Sequence, residues 1–201
     1  MQLLGVLVRL AAVVVVLGGL CAACDPGPPE ASAELEGLEQ YLLTADEVGD
    51  GFVVQESGAV RGAGVGHLCP DAGVSFDEFV AMRAWIVKPS GDDEIAVEEL
   101  LWADDTASLD QLMTDLEAAF VNCDGVEWDY YGEKMMLEVV DAPEVGDDLI
   151  AVRGWGPTSN GEISALRCFV RDGDVMAIVE VPDEIDTSES IVTTAVSKLP
   201  N

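Results

Sequence analysis

His67 and Cys69 are the side chains of this chain whose types and spacing suggest nucleophilic chemistry. A thiolate can attack a carbonyl when a nearby imidazole takes its proton and a third group orients that imidazole. His67 is the only histidine, so it would have to serve as base or as metal ligand alone. Cys69, Cys123 and Cys168 stand singly, without the paired spacing that zinc sites use. Ser159, in Pro-Thr-Ser-Asn-Gly, lacks the first glycine of a nucleophile elbow. The loop RGAGVG at 61–66 lacks full GxGxxG spacing, and no helix pattern opens directly after it. Asp104-Asp105, Asp147-Asp148 and Asp172-Gly-Asp174 do not follow the calcium-loop pattern. The residues therefore point to no catalytic set, no cofactor and no metal site.

Charge narrows the partners. The chain has 39 Asp and Glu against nine Lys and Arg, a formal net charge of −30. Such a field repels nucleic acid and anionic lipid surfaces, so no nucleic-acid partner is expected. The acids are scattered among abundant apolar residues, which describes a folded acidic surface rather than a disordered tail.

The start of the chain reads as an address. Arg9 precedes the uncharged apolar run at 10–20, and Ala22-Ala23 stand before Cys24. A charged start, a short apolar stretch and small residues describe a secretory signal. A cysteine directly after the small residues is the lipobox arrangement, in which Cys24 is acylated and becomes the new N-terminus. Cys21 holds the place where a lipobox usually has Leu. Translation from Val8 would give a compact signal with Arg9 directly behind the start. An uncleaved anchor helix is the other reading of the same run. Either one places the rest of the chain outside the cytoplasm, and the first places it on the outer face of the membrane. Residues 1–23 are thus expected as signal and 24–37, rich in Pro and Gly, as a flexible tether. The folded domain is expected over 38–201.

Within that domain the spacing predicts helical character at 38–43. A capping box follows at Thr44 and Glu47, and the first strand lies within 52–60. A short helical segment is expected over Phe76, Phe79, Val80 and Met82-Arg83. Strands at 84–87 and 95–103 are joined by a turn at 89–93. The clearest helix covers 106–122. Its Leu109, Leu112, Met113, Leu116 and Phe120 form one stripe, with Cys123 at the buried edge of its end. Four more strands are expected at 135–140, 149–154, 163–171 and 175–181. Asn160-Gly161 and Asp172-Gly173 serve as hairpin dipeptides. A second capping box, Asp186 to Glu189, opens a last helix. The fold class is α+β: an antiparallel sheet packed against helices in one domain. If Cys24 is acylated, three cysteines remain in an oxidising compartment, which allows one disulfide and leaves one thiol.

These pieces, in this order, resemble the PknH-like extracellular sensor domain, found on actinobacterial kinases and on free lipoproteins. The matching stretches are Leu42-Leu-Thr-Ala-Asp-Glu-Val48, His67-Leu-Cys-Pro70, Trp85 before a strand, and the helix at 108–123 that ends in cysteine. They continue with Leu166-Arg-Cys168-Phe-Val-Arg-Asp-Gly-Asp-Val-Met and the final helix. The resemblance covers nearly all of the chain after Cys24. It implies a sheet backed by helices, with a cleft for an unknown ligand. It also implies two disulfides. The first maps onto Cys69 and Cys123, which would leave His67 beside no thiolate. The second would join Cys168 to a cysteine near Val181 or Pro182, where this chain has none. Cys168 then stays unpaired, and its apolar neighbours suit a buried strand residue. A kinase domain is excluded by length and by the missing phosphate-binding and catalytic-loop motifs.

The expected function is a lipid-anchored, non-catalytic ligand-binding or sensor module. Its partners would be a small ligand or a component of the cell envelope. The alternative is an extracytoplasmic carrier of a lipid or other apolar molecule, which needs a large apolar cavity. The anchor reading has a direct test. Cys24→Ser should abolish the lipid mass and move the protein out of the membrane fraction. Unchanged membrane retention, with no lipid mass on the wild type, would select the uncleaved helix.

Overall fold

The computed structural model describes residues 33–61, 74, 76, 79–90, 93–130, 133–141, 145–158, 161–183, 185 and 187–200. Helix α1 (Ala33–Leu38) passes through a 3₁₀ turn (Glu39–Tyr41) to α2 (Ala45–Val48). Three strands follow, β1 (Val53–Arg61), β2 (Val80–Ser90) and β3 (Asp93–Ala103), and then α3 (Thr106–Cys123). The remaining strands are β4 (Glu127–Tyr130), β5 (Glu133–Val140), β6 (Asp148–Thr158), β7 (Gly161–Asp172) and β8 (Val175–Pro182). Helix α4 (Ser188–Ser197) comes last.

All eight strands form one antiparallel sheet in the order β1-β2-β3-β8-β7-β6-β5-β4. Two meanders, β1 to β3 and β4 to β8, meet at the β3–β8 pair. The α+β expectation holds.

Alternation along each strand sorts the core into two layers. Val175, Ala177, Val179 and Val181 of β8 belong to a cluster with Leu35 of α1, Leu42 ahead of α2, and Ile191, Val192 and Ala195 of α4. Met176 and Ile178 point the other way, into a cluster with Leu109, Met113, Leu116 and Phe120 of α3. The central strand is therefore covered on both faces, and five residues in a row, Val175 to Val179, are buried. Each fully buried large side chain contributes about 1.5–3 kcal/mol of transfer free energy. Asp105 caps α3 by accepting from the Ser108 amide at 3.1 Å and its hydroxyl at 2.6 Å. Those bonds hold the Asp105 carboxyl below its usual range.

Several local expectations change. The expected helical segment is not formed over 80–83: β2 starts at Val80 and carries Met82 and Arg83. Both faces of β2 are covered, so apolar residues fall on both faces and the strand period is hidden in the sequence. Helix α1 starts at Ala33, inside the expected tether, because Leu35 and Leu38 pack into the core. Strands β2 and β3 extend into the expected 89–93 turn. The β7–β8 turn is Gly173-Asp174, closed by the Asp172–Val175 pair, with Gly173 at φ +61°. Thr187, not Asp186, is the N-cap of α4, and its side chain makes no capping bond. A turn from Pro182 and Ile185 leads the chain into that helix. The Thr44 box forms: Glu47 accepts from the Thr44 amide at 2.8 Å and its hydroxyl at 2.9 Å.

Among the described residues, one charged side chain is fully buried. Glu99 of β3 lies opposite Ala84 and Val179, beneath the turn that leads into α2. It accepts the Leu43 amide on Oε2, and its Oε1 has no partner among the described residues. Lys198, after α4, donates to the Leu42 carbonyl and to Glu47 at 2.7 Å. Burial pushes the Glu99 carboxyl up from 4.5 to about 7, against the opposing pull of the Leu43 amide and Lys198. A raised acid pKa favours the protonated form in the fold. Its stabilising contribution is complete below the ordinary value of 4.5 and is lost as pH rises through about 7. Glu99→Gln keeps an acceptor for Leu43 and removes the charge. Urea unfolding should show the variant gaining on the wild type between pH 5 and 8, by up to about 3 kcal/mol. A pH-independent difference would mean that Glu99 does not titrate in this range.

Candidate functional site

The site follows from where α3 must go. It leaves β3 in the middle of the sheet and has to reach β4 at one edge. Its start is tied to the β8 end by the Asp104 amide on the Asp174 carbonyl at 3.1 Å. Its end is tied to β5 by the Gly125 amide on the Leu137 carbonyl at 2.8 Å and the Val139 amide on Asp124 at 3.1 Å. The helix thus lies across one face of the sheet, touching β8, β7, β6 and β5.

A groove opens between the helix and the β5–β6 connection. Its wider section, about 570 Å³, runs past Glu117, Phe120, Val121, Val139, Asp141 and Asp148 over Leu149 and Ile150. A narrower section of about 360 Å³ continues toward Asp110, Met113 and Thr114, and shares Glu117, Asp148, Leu149 and Ile150. The floor is aliphatic and the rim carries carboxylates. Val121 is 66% exposed and Val139 40% exposed, so apolar surface stays open to water beside the groove.

Arg171 sets the position of the rim. It stands on β7 opposite Asp148 of β6, and its side chain is only 11% exposed. Its guanidinium holds Asp148 at 2.6 Å, Asp147 at 3.0 Å and Asp110 of α3 at 3.1 Å. The Asp148 hydrogen bond, opposed by burial, raises its pKa further. Gly146 takes φ +70°, and a Cβ there would meet Val170 Cγ1 at 2.7 Å and the Arg171 carbonyl at 2.9 Å. Only glycine lets the connection lie this close to β7 and deliver Asp147.

A second charged group crosses the sheet. Glu98 of β3 and Glu180 of β8 lie directly opposite each other, an arrangement that repels. Burial first, and Glu180 in addition, raise the Glu98 carboxyl above its usual range, while Arg83 opposes them. Arg83 sits 2.7 Å from Glu98 and stacks 4.7 Å from the Trp85 ring centre. Arg167 bonds Glu180. The pairs neutralise each other and join the strands.

The residues singled out in the sequence fare unequally. Cys24, His67, Cys69, Ser159 and the RGAGVG loop after Arg61 lie outside the described residues. Cys123 is disulfide-bonded. Cys168 is a free cysteine, fully buried, its thiol pushed up to about 12 by burial, so it is no nucleophile at neutral pH. Among the described residues no group of three or more His, Cys, Asp or Glu could hold a metal, and no helix is long and apolar enough to cross a membrane. Asp147-Asp148 does not fit a calcium loop but supplies two of the three carboxylates of the Arg171 clasp. The groove itself had no sequence signal, because its walls come from three separated segments.

Neither a protein-family model nor a curated protein sequence matches the chain. Among solved structures, the extracellular domain of PknH from Mycobacterium tuberculosis is similar in fold. The TM-score is 0.58 at 15% identity, and the match covers 85% of this chain and 96% of that one.

Removing the clasp tests its role. Arg171→Gln should cost about 1–3 kcal/mol, since it strips charged hydrogen bonds and leaves three carboxylates facing one another. Part of that loss should be recovered in 1 M salt, where the Debye length is about 3 Å. A salt-independent loss in urea unfolding would point to packing alone.

Proposed function

We propose that this chain is an extracytoplasmic, non-catalytic sensor or ligand-binding module, held at the outer face of the membrane by an acylated Cys24. The groove between α3 and β5–β6 is the observation that carries the reading. It has the volume of a small-ligand site, an apolar floor and a few polar groups at its rim. The fold likeness to a kinase's extracellular domain and the signal-like start support the location. The disulfide at Cys123 suits an oxidising compartment, and Cys69 is the partner we assign to it. With Cys69 so bonded, His67 has no thiolate to activate. The alternative role, carriage of a lipid, is less well supported, because the groove is open and carboxylate-rimmed rather than enclosed and apolar.

Native mass spectrometry of protein purified from its own cells should show a retained adduct of defined mass. Ile150→Trp, which fills the groove floor, should release it while leaving the circular dichroism spectrum unchanged. An adduct that survives the substitution would place the ligand elsewhere.

A further inference from the structure

We propose that the groove along α3 takes a short cationic amphipathic peptide, with lysine or arginine on the carboxylate rim and an apolar side chain on the floor. This rests on the reading of the groove as the ligand site and adds the class of ligand. The rim carboxylates divide into two sets. Asp110, Asp147 and Asp148 are engaged by Arg171. Glu117 and Asp141, at the wider section, have no ion-pair or hydrogen-bond partner among the described residues. Both are exposed, so water now satisfies them. The wall between them is apolar: Phe120, Val139 and Ile150, with the exposed Val121 at the lip. A ligand matched to this surface brings positive charge for two free carboxylates and apolar bulk for the valines. An anionic or purely apolar ligand would leave the carboxylates desolvated without partners.

The protein already contains one instance of the expected contact. Arg171 enters the narrower end of the same rim and bridges carboxylates from α3 and the β5–β6 connection. A second cationic side chain at Glu117 and Asp141 would repeat that bridge one step along the groove. The lining residues of α3 run from Asp110 to Val121, which at 1.5 Å per residue gives about 16 Å. An extended peptide of about five residues spans that length. The net charge of −30 would draw such a peptide toward the protein, but it acts on any cation. The apolar wall is what makes the groove selective.

The test uses the full chain in nanodiscs of zwitterionic lipid, with empty nanodiscs as the blank. Three labelled pentapeptides are compared by fluorescence anisotropy: Lys-Leu-Leu-Lys-Leu, Lys-Gly-Gly-Lys-Gly and Ser-Leu-Leu-Ser-Leu. The first should bind at least about tenfold more tightly than either other, the equivalent of about 1.4 kcal/mol. The double variant Glu117→Gln/Asp141→Asn should erase that preference, whereas Asp115→Asn, an exposed acid of α3 outside the groove lining, should not. Equal binding of the two lysine peptides, or equal loss in the two variants, would overturn the proposal in favour of diffuse attraction. If native mass spectrometry finds an uncharged or anionic adduct that Ile150→Trp releases, the groove stands as the site and the cationic class falls.

Discussion

The pairing of β3 with β8 is the constraint on which the rest of the molecule depends. It is the only neighbour relation in the described sheet between strands that do not follow one another along the chain. It joins the two meanders into one surface and puts β8 at the centre, covered on both faces. Once β3 is central and β4 is at an edge, α3 must cross four other strands to connect them. The groove lies where that helix passes the ends of β5 and β6. The pairing carries a burden too, since it sets Glu98 against Glu180. Arg83 and Arg167 offset that repulsion from the two outer sides.

So acidic a chain uses its few cations with economy. Arg83, Arg153, Arg167 and Arg171 all lie on strands, and each is paired with a carboxylate. Lys198 joins the last segment to the first through Glu47 and the Leu42 carbonyl. Among the described residues, most of the unpaired acids are exposed, where water screens them. Glu99 is the exception: buried, it meets the Leu43 amide and sits beneath the turn before α2.

Much of the sheet was legible in the sequence because hairpins leave local marks. The β7–β8 pair shows glycine between two apolar runs, and α3 shows an unbroken stripe from Leu109 to Phe120. The Thr44–Glu47 box was legible for the same reason, since its partners are three residues apart. The start of β2, Val80 to Arg83, does not read as strand because a strand covered on both faces loses its period of two. Strand β4 was missed, being only four residues long. Cys168 was read correctly from its apolar neighbours. The Arg171 clasp and the groove were not legible at all. Asp110 and the Asp147-Asp148 pair meet around Arg171 only after the crossover is made, and no spacing in the sequence encodes that meeting.

The placement of β8 also fixes the order in which the molecule can assemble. A chain delivered N-terminus first presents β1, β2 and β3 early, but the partner of β3 is the last strand of all. Until Val175–Pro182 has emerged, the inner edge of β3 is an open row of donors and acceptors, available to any extended segment nearby. The other meander is equally incomplete without it. Closure is therefore a late, long-range event of the kind that slows folding. The long interval before closure is also when neighbouring chains can interfere, and the chain's strong negative charge keeps like molecules apart during that time.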